Sequence, residues 1–332
     1  MKSKRILVTG GAGYIGSHMV RMLLERGLQP IVFDNLSTGH RSFVPRSVPF
    51  MLGDLQNEKD VKKVFKKFKI DAVMHFAASL VVPESVSNPL KYYNNNVRGS
   101  LNLIKGMLDA KVNKLIFSST AAVYGDVQRI PVKEITPTFP ESPYGASKLM
   151  VEDILRDVAI AHKLKYITLR YFNVAGSHPD VDIGIRHKEV THLIPSVLKA
   201  ALGERPEIVV FGDDYTTNDG TCVRDYIYVV DLCEAHLFAL RALDDGSNSH
   251  STINLGSQDG YSVREVIEVA KEVTGRPIKV TIGKRRPGDP AKVVASNERA
   301  HRELGWVPTA NLTKIVETAW EWELAEAKRK KK

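Results

Sequence analysis

Cysteine is scarce: Cys222 and Cys233 are the only two in 332 residues. That excludes a disulfide framework, and their spacing matches no zinc-ligand pattern, so both are read as reduced thiols and no metal site is expected. Long apolar runs are missing as well. No stretch approaches the roughly 20 apolar residues of a membrane helix. Ile6-Leu7-Val8 runs straight into glycines and is too short for the apolar segment of about 7–15 residues in a secretory signal. A cytoplasmic location with no membrane partner is therefore expected. A strong excess of one charge sign is also absent. Part of the net charge of +9 lies in Lys328-Arg329-Lys330-Lys331-Lys332, read as a solvated or disordered tail. No nucleic-acid-binding motif accompanies it, so no nucleic-acid partner is expected. A modest basic excess suits a small phosphorylated ligand.

What is present is a globular composition, 43% apolar and 26% charged, on a chain long enough to bury a large core. The spacing predicts buried strands at 4–9, 31–33, 70–76, 113–118 and 165–170. Helical patterns at 14–26, 58–68, 97–110 and 144–161 alternate with them. Such alternation with short connections predicts an α/β fold, a doubly wound parallel sheet of the Rossmann type. After about residue 176, clusters of Pro, Gly and Asp predict a second, smaller α/β domain that binds substrate. The expected division is 1–176 and 177–332, with 224–256 returning to the first sheet.

Gly10-Gly11-Ala12-Gly13-Tyr14-Ile15-Gly16 lies between the first strand and the first helix, where a glycine loop carries meaning. Glycines permit the tight turn and close approach of backbone to a pyrophosphate, and the helix N-terminus offers amides and partial positive charge. Asp34 ends the second strand 18 residues after Gly16, placed to accept from a ribose 2′-hydroxyl. This favours NAD over NADP, whose extra phosphate would meet a like charge. A turn or cap is the other reading of Asp34. Asp54 fits either an adenine contact or the N-cap of the helix at 58–68.

Tyr144 and Lys148 stand four apart on a predicted helix, which puts a phenol and an ammonium on one face, a pair able to act as a general base. Alone, the spacing fits a solvated face equally. Ser118-Ser119-Thr120 after the apolar stretch at 113–118 and the glycine loop upstream give it weight.

Thr9-Gly10-Gly11-Ala12-Gly13-Tyr14-Ile15-Gly16-Ser17-His18, Phe33-Asp34-Asn35-Leu36, His75-Phe76-Ala77-Ala78, Ser118-Ser119-Thr120-Ala121-Ala122-Val123-Tyr124-Gly125 and Ser142-Pro143-Tyr144-Gly145-Ala146-Ser147-Lys148 occur in this order. Together they resemble the extended short-chain dehydrogenase/reductase family. Arg170-Tyr171-Phe172-Asn173-Val174-Ala175-Gly176, Phe211-Gly212-Asp213-Asp214-Tyr215, Asp219-Gly220-Thr221, Val223-Arg224-Asp225-Tyr226-Ile227 and Arg285-Arg286-Pro287-Gly288-Asp289 extend the likeness over nearly the full length, toward its UDP-hexose 4-epimerase branch. The resemblance implies interconversion of UDP-glucose and UDP-galactose through a transient 4-keto sugar, with tightly bound NAD regenerated in each turnover.

It implies Tyr144, Lys148 and Thr120 as catalytic residues. Tyr144 would take the proton of the sugar 4-hydroxyl, Thr120 would bond both partners, and Lys148 would also bond the nicotinamide ribose. Thr120 also reads as a strand-end hydroxyl satisfied by backbone. A Tyr of pKa about 10 working near pH 7 needs a shift of roughly 3 units, which Lys148 and the positive nicotinamide favour. Cofactor contacts are implied at Gly10, Gly13, Tyr14, Ile15, Gly16, Asp34, Asn35, Thr38, Asp54 and Leu55, and at Phe76, Ala77, Ala78, Asn95, Tyr144, Lys148 and Tyr171. Phe76 and Tyr171 also fit core aromatics. For substrate, the implied contacts are Thr120, Tyr144, Asn173, Leu193, Phe211, Arg224, Arg286, Asp289 and Val293. Arg224 and Arg286 would hold the diphosphate through paired charge-assisted bonds, and Asp289 the uridine ribose. Dimerisation through the helices near 97–110 and 144–161 is implied too.

Departures sharpen the expectation. Leu80 stands where many such epimerases carry a cofactor-binding Lys, and His192 where an Asn often contacts substrate. Val293 replaces a bulky Tyr that would close the sugar pocket, so UDP-N-acetylglucosamine and UDP-N-acetylgalactosamine are expected substrates as well. An ordinary core Val is the other reading, and a register slip of one would put Lys292 there. Sugar-nucleotide dehydration would need an acid and a base beside Thr120, where Ala121 and Ala122 stand. UDP-glucuronate epimerisation would want further cationic recognition. A silent NAD-sensing protein would not need Tyr144, Lys148 and Thr120 together.

Overall fold

Ile6 and Val8 of the first strand pack in one apolar core and Leu7 in another, so the strand is covered on both faces. Val32 against Ile31 and Phe33, and Ile116 against Leu115 and Phe117, repeat the alternation. This period of two in an all-apolar run is the signature of a central parallel sheet. The computed structural model describes residues 3–180, 182–186, 192–286 and 289–330. Strands β1 (Arg5–Thr9), β2 (Gln29–Asp34), β3 (Phe50–Leu52), β4 (Ala72–His75), β5 (Lys114–Thr120) and β6 (Lys165–Tyr171) are joined by helices α1 (Tyr14–Glu25), α2 (Glu58–Lys67), α3 (Val82–Ser87), α4 (Pro89–Tyr92), α5 (Gly99–Asp109) and α6 (Pro143–His162). Strands β7 (Asn173–Ala175), β8 (Ile208–Phe211), β9 (Val223–Arg224), β10 (Tyr226–Tyr228) and β11 (His250–Leu255) follow, with helices α7 (Leu193–Ala201) and α8 (Val229–Asp245) between them. The chain finishes with strands β12 (Tyr261–Ser262), β13 (Val280–Gly283) and β14 (Lys292–Val293) and helices α9 (Val263–Thr274), α10 (Glu298–Leu304) and α11 (Leu312–Lys330).

The main sheet has seven parallel strands in the order β11-β6-β5-β4-β1-β2-β3. The order reverses beside β1, between β1 and β4, and that switch opens a crevice at the carboxyl ends of the strands. The late strand β11 closes the sheet edge on β6, and α8 packs with α1 on the face of the first core. Smaller sheets pair β10 with β7, β13 with β8, and β12 with β9 and β14. A third core joins α7, α9 and α11 through Val197, Ile267 and Val316.

Two local features differ from the sequence pattern. The helix expected over 97–110 begins as a π turn over Tyr93–Arg98 and becomes α5 at Gly99. The basic tail is not irregular: α11 runs through Lys330, with Arg329 bonding Glu326 at 2.7 Å and stacking over Trp322 at 5.1 Å. Cations at a helix C-terminus complement its dipole, which explains the continuation; Lys331 and Lys332 lie outside the described residues. Among the described residues no helix is long and apolar enough to cross a membrane. Cys222 and Cys233 are free thiols.

Candidate active site

The crevice begins with the glycine loop. Gly10 has φ +71°, and a Cβ there would sit 2.7 Å from the Ala77 amide nitrogen. A Cβ at Gly16 would meet the Gly10 carbonyl oxygen at 2.1 Å. Both positions need glycine, which lets the loop turn against the segment Phe76-Ala77-Ala78 and lets α1 start directly above it. Gly13 is the N-cap of α1 and has no capping side chain. The first-turn amides of Tyr14 and Ile15 therefore face the crevice without intrahelical partners. Their side chains turn away: the Tyr14 hydroxyl donates to the Gly176 carbonyl at 2.6 Å, and Ile15 packs in the core.

Asp34, buried at the end of β2, accepts from the Ala12 amide at 2.9 Å and the Leu36 amide at 2.8 Å. Burial raises its pKa, and those two amides oppose the rise. Asn35 donates to the Asp54 carboxylate at 3.1 Å. Asp54 accepts from the Gln56 amide at 2.8 Å, whereas the cap of α2 is Asn57, which accepts from Lys59 at 3.0 Å. The N-cap reading of Asp54 is thus corrected by three residues. Leu55 is buried in the second core and Thr38 is exposed. Asn95 donates to the Asn96 side chain at 3.0 Å. Phe76 and Tyr171 both pack on His236, with ring centroids 4.8 and 6.3 Å away. A glycine cradle, free helix-start amides and a carboxylate at the end of β2 fit an NAD-type dinucleotide.

Thr120 ends β5 and caps the short turn Ala121–Val123, its hydroxyl accepting from the Ala122 amide at 3.1 Å. Ser142 caps α6 by accepting from the Gly145 amide at 3.2 Å, and Pro143 occupies the first helical position. A Cβ at Gly145 would lie 2.5 Å from the Ala122 carbonyl oxygen. Glycine there allows α6 to approach the turn, which brings Tyr144 beside Thr120. Lys148 is buried one helical turn on; its ammonium donates to the Ser118 carbonyl at 2.8 Å and lies 4.9 Å over the Phe117 ring. Thr120 is thus a strand-end hydroxyl that accepts from backbone and also lies beside Tyr144.

Burial moves these two groups in opposite directions. It pushes the Tyr144 phenol above its ordinary 10, partly offset by the neighbouring Thr120 hydroxyl, although the residue keeps some exposure at its edge. It lowers the Lys148 ammonium to about 7, with Glu152 opposing. Desolvation is therefore the dominant influence on Tyr144, and it opposes the phenolate.

Glu152 was not expected from sequence, although 144, 148 and 152 share one helical face. It receives the Ser119 hydroxyl and a paired bond from Arg170, whose Nη1 also donates to the Tyr124 hydroxyl at 2.9 Å. The Tyr171 hydroxyl bonds the Ser118 hydroxyl beside Thr120, its register partner.

The remaining predicted contacts gather on the smaller sheets. Val293 of β14 is in register with Arg224 of β9, and Arg224 forms an ion pair with Asp289. The Arg286 guanidinium stacks 3.9 Å over the exposed face of Phe211. Asn173 donates to the Asp225 carbonyl at 3.0 Å. Leu193 opens α7 and packs partly buried in the third core, next to His192, whose pKa burial lowers. Pro287 and Gly288 of the expected Arg-Arg-Pro-Gly-Asp run lie outside the described residues.

A family model, the NAD dependent epimerase/dehydratase family, matches residues 6–256. The UDP-glucose 4-epimerase of Halalkalibacterium halodurans is 50% identical over 318 residues, 96% of this chain and 95% of the relative. A crystal structure of UDP-glucose 4-epimerase from Brucella ovis in complex with NAD is 42% identical, with a TM-score of 0.93 over 96% of this chain and 98% of that one. The UDP-Glc/GlcNAc 4-epimerase of Campylobacter jejuni is 44% identical, with a TM-score of 0.86 over 97% of this chain and 100% of that one. The chain belongs to the NAD dependent epimerase/dehydratase family. It is an NAD-dependent epimerase, an isomerase built on a Rossmann-type sheet.

Proposed function

We propose that this enzyme interconverts UDP-glucose and UDP-galactose by inverting C4. The observation that carries this is the placement of Tyr144 beside Thr120 with the buried Lys148 one turn behind, at the carboxyl end of β5, one strand from the switch between β1 and β4. Residues 1–176, with 224–256 returning, form the NAD-binding unit on this reading, and 177–332 the nucleotide-sugar unit. Pairing of β11 with β6 supports the return.

NAD, bound by the glycine loop, Asp34 and the end of β4, supplies a reversible hydride acceptor at C4. Tyr144, as phenolate, takes the proton of the 4-hydroxyl, and Thr120 holds that oxygen and the phenol in line. Lys148 stabilises the phenolate by its charge. The 4-keto sugar then presents its other face, and Tyr144 returns the proton to the new 4-oxygen. Arg224 and Arg286 grip the diphosphate while the hexose turns, and Asp289 binds the uridine ribose, exchanging its bond to Arg224 for one to the nucleotide. Homodimer formation through α5 and α6 completes the reading, supported by exposed Leu101, Met150 and Ile160 on these helices.

The N-acetylated hexoses are proposed as further substrates. Val293 is half-buried against the small core of Val123, Tyr124, Val127 and Val132, which begins three residues after Thr120, whereas Lys292 is exposed. A Tyr in place of Val293 fills the space an acetamido group would take. In a panel of UDP-hexoses, wild type converts UDP-N-acetylglucosamine, and Val293→Tyr lowers kcat/KM for it by about a hundredfold or more while UDP-glucose changes by less than about tenfold. A wild type inactive on the acetamido sugars contradicts the proposal.

A further inference from the structure

Behind the glycine loop runs a buried polar chain that the proposed chemistry does not use. Thr9, the last residue of β1 and the neighbour of Gly10, places its hydroxyl 2.6 Å from His75 Nδ1. His75 Nε2 lies 2.9 Å from the Ser100 hydroxyl, which donates to the Asn96 carbonyl at 2.5 Å. The Asn96 amide donates to the Ser147 hydroxyl at 2.9 Å, and Ser147 donates to the carbonyl of Tyr144 at 2.7 Å. Thr9, His75, Asn96, Ser100 and Ser147 are each at most 3% exposed.

The donors are fixed by elimination. Ser100 spends its proton on the Asn96 carbonyl, so it accepts from His75 Nε2–H. His75 Nδ1 then accepts from Thr9, and Ser147, donating to Tyr144, accepts from Asn96. Every bond points from the glycine loop toward the helix of Tyr144. Burial, aided by the Lys148 charge, lowers the His75 pKa to about 3, so the ring stays neutral and this polarity does not change with pH in the working range. Asn96 also clamps Ser79 through its amide at 3.0 Å and its oxygen at 2.8 Å, which holds the segment after Ala78. The π turn over Tyr93–Arg98 brings Asn96 inward to make these bonds.

We propose that His75 is a positioning residue: through Ser100, Asn96 and Ser147 it locks the glycine loop in register with the α6 turn carrying Tyr144, so that cofactor and base are set against one another. This rests on the roles proposed above for the loop and Tyr144. Removing the ring takes the acceptor from the Thr9 hydroxyl and the donor from the Ser100 oxygen, which keeps its bond to the Asn96 carbonyl, whereas a Gln amide offers the same acceptor and donor.

The test compares wild type, His75→Leu, His75→Gln and Ser147→Ala, reading NAD Kd by calorimetry on cofactor-stripped protein, kcat at saturating NAD, and Tm. His75→Leu raises NAD Kd and lowers kcat by about tenfold or more each. His75→Gln recovers most of both losses. Ser147→Ala, which removes the Asn96–Ser147 and Ser147–Tyr144 bonds and leaves the run from Thr9 to Asn96 intact, lowers kcat by about fivefold and leaves NAD Kd within about twofold. A folded His75→Leu with both quantities within about twofold of wild type overturns the proposal. So does a Ser147→Ala that changes Kd and kcat alike, or His75→Gln losses that merely track Tm. If His75→Leu fails to fold, the other two variants decide. If wild type epimerises no UDP-hexose, the functional reading falls while the NAD Kd series still judges the lock.

Discussion

Replacing Tyr144 by Phe lowers kcat for UDP-glucose by about a thousandfold, with NAD still bound, because the ring stays and only the proton acceptor goes. The aromatic packing is independent of the hydroxyl: the ring meets Tyr92 edge-on at 6.4 Å, and the cap of α6 is made by Ser142. Loss of activity therefore reports chemistry, and an unchanged Tm distinguishes it from loss of fold. Thr120 cannot substitute, since its hydroxyl already accepts from Ala122 and ordinary alcohols ionise far above neutral pH. A Tyr144→Phe protein retaining more than about a tenth of wild-type kcat would remove Tyr144 from the reaction.

Lys148→Met gives the second large effect, a fall of about a hundredfold in kcat at neutral pH together with a displaced pH profile. The sign follows from the groups present. Burial favours the neutral phenol and raises the Tyr144 pKa. A cation one helical turn away favours the phenolate and lowers it, by about 1–3 units for a close opposite charge. Methionine keeps the apolar stem and removes the charge, so the acid limb of kcat moves to higher pH by at least about one unit. The wild-type ammonium is itself lowered to about 7, with Glu152 on the same helical face pulling it back up. Phenolate formation at Tyr144 adds a second anion beside it, and the two charges then sustain each other. An acid limb that stays in place in Lys148→Met would assign the lysine a purely cofactor-binding role.

The sheet and the pair on α6 were legible in sequence because local rules determine them. Alternating apolar runs gave the central strands, and the nucleotide end was readable from Gly10 and Gly16, where a Cβ would strike backbone, from Gly13 at the helix start, and from Asp34, whose carboxylate takes the Ala12 amide. The π turn over Tyr93–Arg98 was not readable, since its Asn-rich run carries no apolar period and its folding depends on distant partners such as Ser147. The same limit hid the Tyr14 bond to Gly176, 162 residues away, and the pairing of Arg224 with Asp289 across 65 residues. The burial that raises the Tyr144 pKa was not readable either, because spacing reveals a neighbouring charge but not desolvation.

The most direct measurement uses UDP-glucose deuterated at C4, incubated with the purified protein without added nicotinamide cofactor and followed by NMR. UDP-galactose forms, and the deuterium remains at C4, because the hydrogen that leaves is the one returned to the opposite face. Exchange of deuterium for solvent hydrogen, or no UDP-galactose even when NAD is supplied, would contradict inversion through oxidation at C4.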